Sequence, residues 1–215
     1  MLGMVRPDLF IPLAEQNGLI TPIGEWVMQE GCRFAKRLQA AGWTNVTVAI
    51  NVSGNQFAAE DFLDVVRNAV SSIGIPNEAI EIEITETAVI SSLTQAIEKI
   101  SQLRDNGIRI ALDDFGVRYS TLSYLLRLPF DTLKVDKSFV DTIGITDHGT
   151  DIVRMIIELA HLLGKEVVAE GVETKEQYDI LAKLHCDIIQ GYYFSKPLNE
   201  TSAFEYLRQE EMWSN

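Results

Sequence analysis

A short β-branched run recurs six times along this chain, and one helix-periodic stretch separates each run from the next. The runs are Val46-Thr-Val-Ala-Ile-Asn-Val52, Ile80-Glu-Ile-Glu-Ile84, Ile108 to Leu112, Thr132-Leu-Lys-Val-Asp136, Glu166-Val-Val-Ala-Glu170 and Asp187-Ile-Ile-Gln-Gly191. They start roughly 20 to 35 residues apart, room for one crossover helix, and that spacing is the mark of parallel βα units. The helical stripes between them are apolar at i, i+3 and i+4. Ile23, Trp26, Val27, Phe34 and Leu38 run to Gly42, with Thr21-Pro22 read as the cap. Phe62, Val66, Ala69 and Ile73 close at Gly74, Leu93, Ile97, Ile100 and Leu103 at Gly107, and Ile152, Ile156, Leu159 and Leu163 at Gly164. Thr174 and Gln177 form a capping box ahead of Tyr178, Leu181 and Leu184. Shorter helices are expected at Leu9 to Glu15, from Thr121 to Leu128 before Pro129, and at Ala203 to Arg208 as a closing element. The expectation is one α/β domain over residues 1–215, either an open doubly wound sheet or most of a (β/α) barrel. A barrel has eight strands in about 250 residues, and six are legible.

Composition narrows the class further. At 215 residues, 47% apolar and 23% charged, the chain can bury a substantial core, so collagen-like, disordered and disulfide-framework classes drop out. A net charge of -13 repels polymeric nucleic acid unless a local feature reverses the field. Cys32 and Cys186 are too few for an oxidised scaffold and point to a reducing, cytoplasmic setting. No apolar run approaches the roughly 18 residues of a membrane span, so membrane insertion is not expected.

Buried parallel strands should be nearly continuous apolar runs, yet every run carries polar residues at or near its C-terminal end. They are Asn51, Glu83 and Glu86, Asp113 and Asp114, Lys134 and Asp136, Glu170 and Glu173, and Gln190. One such residue alone reads as a solvated strand end or a helix cap. Their repetition in every strand reads as a site, because that end is where parallel α/β folds build active sites. So many carboxylates at one mouth need a compensating cation, since each raises its neighbours' pKa. Oxygen donors with an amide carbonyl suit Mg²⁺, Mn²⁺ or Ca²⁺ better than zinc. The adjacent Asp113-Asp114 pair could bridge two ions, the arrangement that clamps attacking and leaving oxygens in phosphoester hydrolysis. Lys134 could stabilise the nucleophile and the developing charge.

These residues are set in longer matching segments: Phe10-Ile-Pro-Leu-Ala-Glu-Gln-Asn-Gly-Leu-Ile20, Ala49-Ile-Asn-Val-Ser53, Glu81-Ile-Glu-Ile-Thr-Glu86, Asp113-Asp-Phe-Gly116, Leu133-Lys-Val-Asp136, Val168-Ala-Glu-Gly-Val-Glu173, Gln190-Gly-Tyr192 and Phe194-Ser-Lys-Pro197. In that order they resemble the EAL domain family of cyclic di-GMP phosphodiesterases, along nearly the whole chain. The resemblance implies a modified TIM barrel that hydrolyses cyclic di-GMP to the linear dinucleotide through a metal-activated water. It implies Asn51, Glu83 and Asp113 as ligands of one Mg²⁺ or Mn²⁺, and Asp113, Asp114 and Asp136 as ligands of a second. Glu170 is similar to the family's metal ligand or general base, Lys134 to its water-orienting lysine, and Gln190 to a group on the metal-bound water. Glu86 resembles the carboxylate that holds the loop after Asp114, and Glu173 and Tyr192 are candidate nucleotide contacts.

Two departures qualify what the resemblance implies. No Glu-Ala-Leu occurs anywhere in the sequence, so the family's first strand, first helix and signature strand, with its metal-ligating glutamate, are expected to be absent. Six strands plus two absent ones recover eight, hence an expected incomplete barrel, with strand edges exposed at Ile50 and Ile189 and a homodimer as one way of covering them. Arg118 also stands where the family has a glycine in the loop after the aspartate pair, either a strained replacement or a harmless surface one. The expected function is a metal-dependent cyclic di-GMP phosphodiesterase, impaired in this chain. The alternatives are a catalytically silent cyclic di-GMP-binding or partner-binding module, and another Mg²⁺-dependent barrel enzyme. His148, His161 and His185 lack metal-ligand spacing and read as surface or helix residues, Trp26 and Trp43 as packing groups. Tyr193, Phe194 and Phe57 are left between base stacking and packing.

Overall fold

The six runs form strands β1 (Val48–Val52), β2 (Ile80–Thr85), β3 (Arg109–Phe115), β4 (Thr132–Val135), β5 (Glu166–Ala169) and β6 (Ile188–Ile189). This is a computed structural model, and it describes residues 5–117, 122–146 and 148–214. Every strand pairing is parallel, and order in the sheet follows order in the chain, β1 through β6. A doubly wound sheet would reverse strand order at a switch point. The unbroken order is instead that of a barrel wall. Among the described residues β1 and β6 each pair on one side only, so the wall is an open half-barrel clothed in helices.

The helices follow the apolar periodicity. They are α1 (Pro7–Gln16), α2 (Ile20–Ala40), α3 (Gly54–Ala58), α4 (Phe62–Ile73), α5 (Glu86–Ser91), α6 (Leu93–Asp105), α7 (Leu122–Leu125), α8 (Lys137–Val140), α9 (Gly149–Leu162), α10 (Lys175–Lys183) and α11 (Glu200–Ser214). Helix α4 ends in a left-handed Gly74 at φ 69°, a conformation that glycine adopts without a Cβ penalty. Thr174 caps α10 with Gln177 completing the box, as the sequence predicts. Thr21-Pro22 is not a cap: α2 starts two residues earlier than that reading, at Ile20, after Leu19, which makes no side-chain cap bond. The closing helix runs longer than Ala203 to Arg208 and returns to α2, where Arg37 pairs with Glu200 at 2.5 Å and Phe34 meets Phe204 edge to face at 6.0 Å.

Strand residues alternate between the helical layer and the barrel lumen. Ile80, Ile82 and Ile84 are completely buried under the helices, as are Val66, Ile100 and Leu181, which pack over the sheet. On the lumen side, at the N-terminal end, Arg109 binds Glu81 at 3.2 Å and Thr132 at 3.1 Å and pairs with Glu166. Trp26 is 62% exposed, which corrects its reading as a packing group: α2 turns it toward a groove it shares with Phe34, Val48, Ile50 and Leu198. Phe57 is buried, edge to face with Phe62 at 5.5 Å. His161 is surface-paired with Asp187, whose carboxylate also accepts the Val167 amide. Both cysteines are free thiols. Among the described residues no helix is long and apolar enough to cross a membrane.

Candidate active site

Four strand ends meet at one cation. Glu83 points into the lumen from β2, Asp113 from β3, Lys134 from β4 and Glu170 from the residue after β5. The Lys134 Nζ lies 2.7 Å from Glu83 Oε2, 2.7 Å from Glu170 Oε1 and 3.4 Å from Asp113 Oδ1. The lysine is 3% exposed, Glu83 7% and Asp113 8%, so these charges lie in a low-dielectric setting where paired charges are retained and unpaired ones are costly. Burial pulls the Lys134 pKa down, and the facing carboxylates of Glu83, Asp113 and Glu170 outweigh it, leaving the ammonium well above the usual lysine value. Burial pushes the Glu83 and Glu170 carboxyls above the ordinary carboxylate value; Lys134 opposes that shift and Asp113 adds to it.

Asp113 and Asp114 do not share one face. Strand β3 runs beyond Leu112 to Phe115, with a register shift against β4 between Leu112 and Phe115, and Asp114 turns left-handed at φ 55°. Aspartate tolerates that conformation better than most residues. The bulge buries Asp113 and leaves Asp114 exposed, its amide bonded to Asp113 Oδ1 at 2.9 Å. Bulges of this kind re-aim side chains beside active sites.

The other predicted residues ring this cluster. Asn51 on β1 pairs in register with Glu83 and is exposed at the sheet edge. Asp136 is part-buried and caps α8, accepting the Ser138 amide at 2.9 Å. Gln190 joins β5 to the loop beyond it, its amide donating to Ala169 at 2.9 Å and its carbonyl accepting from Val172 at 3.1 Å, while its residue surface stays open. Glu173, in the loop after β5, is bound to Lys137 at the start of α8 at 2.9 Å, a pairing that the sequence does not announce. Tyr192 is 57% exposed with Lys196 6.0 Å over its ring, whereas Tyr193 and Phe194 pack on Tyr178. Glu86, 2% exposed, accepts the Gly116 amide at 3.1 Å and the hydroxyl of Tyr124. Tyr124 carries no charge and lies in a short apolar stretch, so no sequence signal marks it. Arg118 lies outside the described residues.

The donor set of Asn51, Glu83, Asp113, Asp114, Asp136 and Glu170 is all oxygen, the chemistry that hard divalent ions require. In the present arrangement three of these carboxylates are turned onto Lys134, and among the described residues no three acidic, histidine or cysteine side chains stand in metal-ligating geometry.

A parallel (β/α) half-barrel with a lysine-centred acidic mouth at its C-terminal strand ends defines a TIM-barrel-like α/β protein. The EAL domain profile matches residues 1–197, and the chain belongs to the EAL domain family. It is 40% identical over 206 residues to the cyclic di-GMP phosphodiesterase NbdA of Pseudomonas aeruginosa, covering 96% of this chain and 26% of that protein. It is 40% identical over 201 residues to the oxygen sensor protein DosP of Escherichia coli, covering 91% and 24% respectively. The chain thus spans about a quarter of the length of these relatives. The fold superposes on the PaMucR phosphodiesterase in its c-di-GMP complex with a TM-score of 0.92 at 35% identity, over 94% of this chain and 82% of that one.

Proposed function

We propose that this chain is a cyclic di-GMP phosphodiesterase domain that opens one phosphodiester of the ring to give the linear dinucleotide. The observation that carries the reading is the convergence of Glu83, Asp113 and Glu170 on Lys134, in a fold shared with a phosphodiesterase bound to c-di-GMP. Asn51, Glu83 and Asp113 would hold one Mg²⁺ or Mn²⁺, and Asp113, Asp114 and Asp136 a second, with Glu170 on either. Such ions, when bound, supply positive charge at the phosphate and make water a stronger acid.

The chain's own groups account for the rest. Glu170, fixed at the mouth by Lys134 at 2.7 Å, serves as the general base that accepts a proton from the attacking water. Water oxygen bonds to phosphorus, one P–O ester bond breaks, and the departing sugar oxygen takes a proton from solvent while Glu170 returns to solvent the one it accepted. Lys134 remains protonated throughout, fixes Glu170 and opposes charge building on the phosphoryl oxygens. Gln190 orients the water, Glu173 contacts the nucleotide, and Tyr192 offers an exposed ring for a guanine. A homodimer covering the β1 and β6 edges, and a reducing cytoplasmic location for the two thiols, complete the reading.

A second reading is favoured by Lys134 itself: its ammonium is held by Glu83, Asp113 and Glu170 and offsets part of their charge, which suits a module that binds cyclic di-GMP and leaves it intact. Calorimetric titration with cyclic di-GMP, run beside chromatography of the nucleotide after incubation with Mn²⁺, separates the two. Linear dinucleotide in the eluate supports the enzyme, and binding with recovered cyclic nucleotide supports the silent module.

A further inference from the structure

The two ends of the segment that follows the aspartate pair are tied to one buried carboxylate. Glu86 opens α5 directly after β2, whose Thr85 lies in register with Asp113 on β3. One of its oxygens accepts the Gly116 amide at 3.1 Å, two residues beyond Asp114, and the other accepts the phenol of Tyr124 at the far end, on α7. Glu86 is 2% exposed and Tyr124 4%, so both bonds are shielded from water, where a lost partner is costly. Asp114 sits at φ 55° and Gly116 at φ 87°, on either side of Phe115; glycine adopts that conformation freely, whereas the left-handed aspartate persists only where its surroundings hold it. The carboxylate is fixed in orientation by the phenol, and its second oxygen then fixes Gly116.

We propose that Tyr124 is a positioning residue: through Glu86 it sets the backbone of Asp113 to Gly116 and hence the placement of both aspartates at the mouth. Its catalytic consequence rests on the phosphodiesterase reading; its effect on the backbone does not. The phenol contributes no proton to the reaction and touches no substrate.

Tyr124→Phe keeps the ring and removes the hydroxyl alone. The inference predicts that the Gly116 amide exchanges about tenfold faster, the equivalent of one lost hydrogen bond. It also predicts that kcat for cyclic di-GMP falls about tenfold with KM unchanged. The double variant Tyr124→Phe/Glu86→Gln should be no worse than Glu86→Gln alone, because one residue acts through the other. Amide exchange is read by NMR on the whole chain, so it decides the backbone claim even if wild type turns over no substrate, a result that would count against the phosphodiesterase reading alone. A lowered melting temperature with wild-type exchange at Gly116 would make the tyrosine merely structural and overturn the proposal. So would additive losses in the double variant. Should Tyr124→Phe not fold, Glu86→Ala, which removes both acceptor oxygens, carries the test by the same amide: unchanged Gly116 exchange overturns it.

Discussion

Lys134 lies at the same 2.7 Å from Glu83 and from Glu170, joining the ends of β2 and β5 through a single buried ammonium. Three strands of the wall thereby depend on one charge, with Asp113 at 3.4 Å completing the set. Removing that charge leaves buried carboxylates facing each other. Lys134→Met should cost about 3 kcal/mol in urea unfolding, in the range seen when one partner of a buried ion pair is deleted, and should abolish measurable turnover. Mn²⁺ should restore much of the lost stability, since a bound cation takes over the compensation.

The pH dependence of stability follows from the same cluster, with opposite signs for its members. Lys134 has a folded pKa above its ordinary 10.5, so its stabilisation is complete below that pH and is lost as pH rises through the folded value. Glu83 and Glu170 have folded pKa values raised above 4.5. Their protonated forms favour the folded state, and that contribution fades as pH rises from 4.5 through the folded values. In Lys134→Met the opposing ammonium is gone, so the carboxyl values climb further. Melting scans should show the variant gaining stability on acidification over a range that begins at higher pH than in wild type. Coincident profiles would contradict this electrostatic picture.

Gly191 tests the coupling between packing and site. A Cβ there would lie 2.1 Å from the Val172 carbonyl oxygen and 2.3 Å from the Val172 amide nitrogen, backbone atoms that cannot turn aside. Gly191→Ala must therefore separate the β5 and β6 loops next to Gln190 and Glu173. The expected outcome is a loss of about 2 kcal/mol or more, in line with overpacking, and a fall in turnover beyond what the unfolded fraction explains. Circular dichroism melts with parallel assays below the transition check it.

Much of this was readable beforehand, and the exceptions have physical causes. Helices α4 and α6 are long enough for a 3.6-residue period, with Gly74 and Gly107 closing them, so their stripes stand out. Helices α3, α5 and α8 span 5, 6 and 4 residues, too few to repeat a period. Strand β3 extends through Asp114 because a bulge and a left-handed aspartate carry it there, and alternation of residue types cannot encode either. The convergence of Glu83, Asp113, Lys134 and Glu170 follows from their places at strand ends, since parallel strands bring those ends together. That the carboxylates gather on Lys134, that Glu173 pairs with Lys137, and that Glu86 meets Tyr124 are contacts between distant segments, fixed by side-chain direction in the folded chain.

The account stands most directly on hydrolysis of cyclic di-GMP by this chain in Mg²⁺ or Mn²⁺, followed by chromatography of the nucleotides, with Asp113→Ala alongside. It predicts linear dinucleotide from the wild-type chain and at least a hundredfold less from the variant, the scale of losing a group that binds the reacting centre. Intact cyclic di-GMP from the wild-type chain, or equal turnover by Asp113→Ala, would contradict it.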